Sequence, residues 1–175
     1  MKTKHFFVES DYVQTQFSAG LLANLNEFGV IAGSNKRRAT LHDVQPIIKS
    51  IAKIGYLVDR PITFVWSTDP RLIGYKTKAI EDVQFTCSNG LTAGKSLYGG
   101  DNPLKDFSAY INSIDKMSVT YTDNNEPYRV ILDGKRRFLA AIATADMGET
   151  VPFVELPKSV DLEGYLETIN PSLLN

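Results

Sequence analysis

The run Tyr128 to Ala141, YRVILDGKRRFLAA, constrains this chain more than any other segment. Val130, Ile131 and Leu132 form an apolar strand that delivers Asp133 and Gly134 to its end, and the residues that follow have the spacing of a helix. A strand that passes through one glycine into a helix needs a sheet to pair with and a face for the helix to cover. The expected class is therefore α/β or α+β, a mixed sheet with flanking helices. The turn also has a chemistry. The first amides of a helix lack intrahelical partners and carry the positive end of its dipole, so an anion can dock there. Gly134 lets a ligand approach the backbone, and Lys135, Arg136 and Arg137 add three cations where the helix dipole alone disfavours them. The same basic side chains can instead extend into water.

The rest of the chain is read around that unit as a single domain, 1–175, since 43% hydrophobic residues among 175 suffice for one core. Residues 1–40 are expected to be an N-terminal helix and a basic loop. Ser10 caps a helix with Val13, Phe17, Leu21, Leu25 and Phe28 on one face, which Gly29 ends. The loop AGSNKRRAT then holds Lys36, Arg37 and Arg38, which can touch nucleic acid or remain solvated. The core is expected over 41–156. A second helix, capped by Asp43 with Pro46 in its first turn, points Ile47, Ile48, Ile51 and Ile54 inward and closes at Gly55. ITFVW after Pro61 and DVQFTC from Asp82 to Cys87 are strands. Ser88 to Asn102 is a Gly-rich loop whose Lys95 can close over a ligand. Asn102-Pro103 opens a helix with Leu104, Phe107, Tyr110, Ile114 and Met117 on one face. SVTYT and YRVIL flank DNNEP as a hairpin, a helix runs from Lys135 to Met147, and VPFVEL is the last strand. Residues 157–175 supply a short helix and tail.

Composition narrows the function. Nineteen Lys and Arg against 20 Asp and Glu give no global attraction for a polyanion, so any phosphate must be held by a local patch. The one cysteine, Cys87, excludes an internal disulfide framework and fits a reducing, cytoplasmic setting; in an alternating strand it is expected to be buried and inert. With His5 and His42 as the only histidines, neither a zinc site nor a Ser-His-Asp constellation can be argued. The N-terminus lacks a signal-peptide core, and no apolar run approaches the roughly 18 residues of a membrane span. SNGLTAGKS, Ser88 to Ser96, resembles a phosphate-binding loop of the Walker type but spaces G-x-x-x-G-K-S, one residue short, and two glycines and a proline follow where a helix must. Asp133 is the candidate catalytic carboxylate, as an Mg²⁺ ligand or base, or else the N-cap of the helix. Glu81, Asp82, Asp123 and Glu126 are expected to be solvated.

The run DGKRRFLAAIATADMGETVPFVEL, Asp133 to Leu156, resembles the signature of the ParB and sulfiredoxin superfamily, in which a strand leads into a Gly-x-x-Arg turn, a helix follows, and a Val-Pro strand closes the unit. Gly134 to Arg137 match the turn, Ala140 the small position of the helix, and Val151-Pro152 the returning strand. Asp133 resembles the DGQHR variant. Upstream, either Ser50 to Trp66 or Leu104 to Ile114 is similar to the helix near the start of such domains; under the first alignment, Ser67 to Lys116 is an insertion. The resemblance implies a ParB/sulfiredoxin-like sheet with an extra N-terminal helix and a phosphate site in which Gly134 gives backbone contacts, Arg137 binds phosphate and Arg136 is the second choice. Relatives hold CTP, ATP or other adenine nucleotides there, so a nucleoside triphosphate and Mg²⁺ are the implied cofactors. This chain lacks the sulfiredoxin cysteine, has Lys135 where partition proteins often carry Glu, and does not encode the Asn-rich motif and helix-turn-helix that follow in those proteins. The expected role is a nucleotide- or nucleic-acid-phosphate-binding protein in DNA-related work such as partition, defence or counter-defence. The alternatives are a phosphotransfer enzyme, NTPase or nuclease using Asp133, and a protein-binding module that has lost its ligand.

Overall fold

A computed structural model describes residues 14–18, 25–32, 39–56, 60–88, 111–144 and 150–169. Among these, seven strands form one mixed sheet: β1 (Gln14–Ser18), β2 (Phe28–Ile31), β3 (Ile62–Trp66), β4 (Thr77–Cys87), β5 (Ile114–Thr122), β6 (Arg129–Asp133) and β7 (Thr150–Glu155). Their order is β1-β7-β3-β6-β2-β4-β5, with β2 parallel to β6, β3 parallel to β7 and the other pairs antiparallel. Helices α1 (Leu41–Ile54) and α2 (Lys135–Ala143) cover one face and α3 (Leu162–Ile169) the other. The class is α+β, a mixed sheet with flanking helices.

Strand alternation sorts the core into two layers. Phe28, Ile62, Phe64, Ile131, Val151 and Phe153 point to the α1 and α2 side, where Val44, Ile48, Ile51, Phe138 and Leu139 meet them. Val65, Val130 and Ala79 point the other way, onto Leu162, Tyr165 and Leu166 of α3. In β4 the alternation slips, because Ile80, Val83, Phe85 and Cys87 all belong to the first layer. A register shift between Ile80 and Asp82 supplies the extra residue that an odd spacing demands. Cys87 is buried, and burial pushes its thiol pKa up, in keeping with an inert core residue.

Several expectations are corrected. The described residues of the expected N-terminal helix are not helical: Gln14–Ser18 is strand β1, Leu25–Glu27 a 3₁₀ turn and Phe28–Ile31 strand β2. The division at residue 40 fails with it, since β2 lies inside the sheet between β6 and β4. Gly29 is no helix stop. It lets the Lys78 carbonyl and the Tyr128 ring approach the strand so closely that a Cβ would overlap both. Gly29→Ala should therefore cost about 1–3 kcal/mol, as overpacking does, and circular dichroism melting of the purified variant checks it.

The capping of α1 also differs. Thr40 is the N-cap: its hydroxyl accepts from the Asp43 amide, and Asp43 at the third position accepts back from the Thr40 amide, a capping box. Pro46 consequently lies inside the helix, on an exposed position, and Ile54 at the far end is 63% exposed instead of inward. Ile114 and Met117 belong to strand β5, not to a helix; the helical residues 111–113 end just before it. Finally, SVTYT and YRVIL do not form a hairpin. β5 pairs with β4, β6 pairs with β2 and β3, and DNNEP crosses between them, with the Asn124 side chain donating to the Asn26 carbonyl at 3.0 Å. α2 ends early, at Ala143, with Thr144 as its C-cap, whose amide and hydroxyl both donate to the Ala140 carbonyl, at 3.1 and 3.0 Å.

Candidate functional site

The strand-turn-helix expected from the sequence is present as β6, Gly134 and α2. β6 is flanked on both sides by strands, so its last residue, Asp133, is held by the sheet. Gly134 is the N-cap of α2 with φ 98°, a left-handed conformation that favours glycine. The first intrahelical hydrogen bond runs from the Phe138 amide to the Gly134 carbonyl, 2.7 Å. Gly134 has no side chain to cap the helix start, and no acidic residue lies in its first turn. Asp133 is thus not the N-cap, which corrects that reading. The chain reaches α2 with its positive end uncovered by its own cap residue and with Lys135 and Arg136, both partly exposed, in the first turn.

Arg137 plays a different part from a solvent-facing phosphate ligand. Its Nη1 donates to the Arg60 carbonyl at 2.9 Å and the Pro61 carbonyl at 3.3 Å, and its Nη2 pairs with Asp133 Oδ1 at 3.5 Å. The guanidinium lies along Gly134, where a Cβ would come 3.1 Å from Nη2 and 3.2 Å from Ile62. Position 134 thus disfavours a side chain by its backbone conformation, and a Cβ there would fit tightly against Arg137 and Ile62. Arg137 ties the start of α2 to the segment entering β3.

Tyr56 completes the cluster. Gly55, with φ 82°, ends α1 and turns the chain so that the Tyr56 hydroxyl donates to the Arg60 carbonyl at 3.2 Å. Burial pushes this phenol up to about 12; the Arg137 cation, which also hydrogen bonds to it, pulls the other way, and the Asp133 carboxylate adds to the rise. Tyr56 is therefore a neutral hydroxyl throughout the physiological range. Neither it nor the Arg60 and Pro61 carbonyls were singled out by sequence reasoning. The available signal was the helix-ending Gly-Tyr pair ahead of an Arg-Pro strand start.

At the opposite end of β6, Arg129 shares the face of Ile131. Its guanidinium lies 4.6 Å from the centre of the Trp66 ring, 5.6 Å from Phe64 and 5.7 Å from Phe28, and pairs with Glu27 at 3.7 Å. Burial lowers its pKa, opposed by Glu27 and Glu155. This cation closes the apolar layer between α2 and the sheet edge and is remote in the strand from the turn.

Lys36, Arg37, Arg38 and Lys95 lie outside the described residues, as does all of the Walker-like segment except Ser88. Asp123 is highly exposed and pairs with Lys78 at 3.3 Å, as a solvated carboxylate does. Among the described residues no group of three or more His, Cys, Asp and Glu is placed to hold a metal ion, and no helix is long and apolar enough to cross a membrane. The chain matches no protein-family model, no curated protein and no solved structure.

Proposed function

We propose that this protein binds the phosphate of a nucleotide or nucleic acid at the turn Asp133 to Arg137. The observation that carries the reading is the start of α2: a left-handed glycine with no capping side chain, followed at once by Lys135 and Arg136. A helix of this kind offers backbone amides and a positive dipole end to an anion, and Lys135 and Arg136 add positive charge beside them. The placement also suits ligand binding because β6 ends between two strands while α2 begins beyond the sheet, where open sheets generally receive ligands. The resemblance of the turn to the ParB and sulfiredoxin superfamily supports the same ligand class. The order α1 then β3, with β3 between β6 and β7, is compatible with the alignment of Ser50 to Trp66, whose insertion, Ser67 to Lys116, would hold β4 and the first residues of β5. Arg137 braces the loop, which leaves direct phosphate contact to the amides, Lys135 and Arg136. Mg²⁺, where the ligand is a triphosphate, would find one carboxylate beside the turn, Asp133.

Thermal unfolding with each nucleoside triphosphate, with and without Mg²⁺, tests this. A ligand at a hundred times its Kd stabilises the folded state by about 2.7 kcal/mol, or roughly 5–10 °C for a domain of this size. The expected result is such a shift for the wild type and its loss in Arg136→Ala, a half-exposed position where truncation leaves the core intact. No shift with any nucleotide, together with no salt-sensitive affinity for DNA or RNA, would rule the reading out. Phosphate release in the same titration would make the protein an NTPase.

A further inference from the structure

We infer that the outer edge of β5 pairs with the same edge of a second copy of this chain, antiparallel and centred on Val119, so that the sheet continues from one copy into the other. Among the described residues β5 ends the strand order, with β4 as its one strand neighbour. Its outer edge therefore presents a row of main-chain N–H and C=O groups. The two ends of that edge differ. Where β5 begins, Asp115 is the extra residue of a register shift, Asp115 and Lys116 are both exposed, and the Gln45 side chain donates to the Ile114 carbonyl at 3.1 Å. Bulges and charges are the means by which sheets close an edge to pairing. From Met117 to Thr122 the strand carries no charge, no proline and no glycine, and Val119, Thr120 and Thr122 are β-branched, a composition that pairs readily. The other register shift between β4 and β5 puts its extra residue, Glu81, on β4 and leaves this stretch regular. The edge lies across β2 and β4 from the turn at Gly134, so the pairing stands apart from the phosphate reading.

The stretch is complementary to itself, which selects a second copy as the occupant. A two-fold axis that joins antiparallel edges stands perpendicular to the sheet, so like faces meet and each residue lies opposite one of its own parity. Met117, Val119 and Tyr121 share the face of the first core layer; Met117 and Val119 pack against that layer, and Tyr121 is 43% exposed. Ser118 and Thr120 are exposed on the other face. Centred on Val119, the pairing sets Val119 against its counterpart, Met117 against Tyr121 and Ser118 against Thr120. Apolar meets apolar and hydroxyl meets hydroxyl, the kinds of cross-strand pair that stabilise a sheet. The ladder then runs from Lys116 to Thr122, with Asp115 and Asp123 beyond its ends. Moving the centre by one residue brings Asp115 opposite Tyr121 or Asp123 opposite Met117, a carboxylate against the apolar face.

Analytical ultracentrifugation of the full chain, from roughly 5 µM to 0.5 mM, tests the pairing. An edge of this length is at the small end of specific interfaces, below roughly 1,200 Å² in all, so a concentration-dependent dimer is expected. Ser118→Lys combined with Thr120→Lys places like charges directly opposite each other twice across the axis, and should raise the dimer dissociation constant roughly tenfold or more. Ser118→Lys combined with Thr120→Glu places opposite charges there and should return the constant to the wild-type value or below it. Both positions are exposed, so neither double variant removes a core contact, and matching circular dichroism melts show that each is folded. A wild type that stays monomeric at the highest concentration overturns the inference, whether or not some other extended chain takes this edge. A dimer that both double variants leave unchanged overturns it too, because the contact then lies elsewhere. A dimer that both weaken alike overturns the register centred on Val119.

Discussion

Replacing Arg71 by Ala is expected to destabilise the protein by about 3 kcal/mol, the lower end of the cost of breaking a buried ion pair by removing one partner, because this pair is partly buried. Arg71 follows the 3₁₀ turn start Asp69-Pro70, and Asp69 grips it twice, Nε to Oδ1 at 3.0 Å and Nη2 to Oδ2 at 2.9 Å. The other guanidinium hydrogens go to main-chain carbonyls: Nη1 to Pro157 and Val160, both at 2.7 Å, and Nη2 to Leu156 at 3.0 Å. One side chain therefore fastens the β3–β4 connection to the segment that leads into α3. Without it, three carbonyls lose their donor and Asp69, whose side chain is 6% exposed, is left as a buried carboxylate. Chemical denaturation at pH 7 measures the loss, with the melting temperature falling by about 10 °C.

The same pair gives a signed pH dependence. Hydrogen bonds from Arg71 hold the Asp69 carboxyl below its ordinary range, with burial opposing. A carboxyl whose folded pKa is depressed contributes stability that is fully present above its unfolded value, about 3.9. That contribution is lost as pH falls through the folded value. The gap between wild type and Arg71→Ala should thus be widest above pH 5 or so and narrow in acid. An equal gap at pH 3 and pH 7 would show that the carboxylate is not what Arg71 stabilises.

Phe138→Ala is the second large effect, expected at about 3–5 kcal/mol for an aromatic truncated in a core that cannot collapse. Phe138 is fully buried, its ring centre 4.9 Å from that of Phe28 and 6.5 Å from that of Phe153, and Phe28 and Phe153 are themselves 5.5 Å apart. These three rings join α2 to strands from both ends of the chain. Because Phe138 is the residue after Arg137, loss of its anchor loosens the first turn of α2 as well. Its variant should show a lower denaturation midpoint and, at temperatures where it is folded, weaker nucleotide binding than the wild type. A double substitution with Phe153→Ala should be less than additive, since the residues share one cluster. Full additivity would separate the two sites.

The strand-turn-helix was legible because three local signals agree there: an apolar run of strand length, a glycine, and helix spacing with Ala140 and Ala141 where α2 packs against the sheet. α1 was legible from its helix spacing, β3 and β7 from apolar runs and the later half of β4 from alternation, while the first residues of β4, from Thr77, were not. β1 and β2 were not. Val13, Phe17, Leu21, Leu25 and Phe28 fit a period near four, but Phe28 owes its burial to β6, whose residues lie a hundred positions away, and no local pattern records that partner. DNNEP has the composition of a hairpin turn, yet turn composition does not say which strand lies next door. At the site, sequence showed which cations share the turn. Only the structure separates Arg137, committed to Arg60, Pro61 and Asp133, from Lys135 and Arg136, because main-chain carbonyls as partners leave no mark in the residue types.

The placement of β2 bears on how the chain assembles. Phe28 aligns with Arg129 and Gln14 with Val154, so each strand contributed by the N-terminal part has a partner made more than a hundred residues later, although β2 also pairs with β4, Gly29 with Ala79. Loops of that length must close before these pairings return any stability, which slows folding relative to a sheet of neighbouring hairpins. During synthesis, β2 can meet β4 early, but its β6 side and the Phe138 and Phe153 neighbours of its Phe28 ring come only with the last third of the chain, so chaperone dependence and aggregation should be set by that interval more than by the stability of the finished fold.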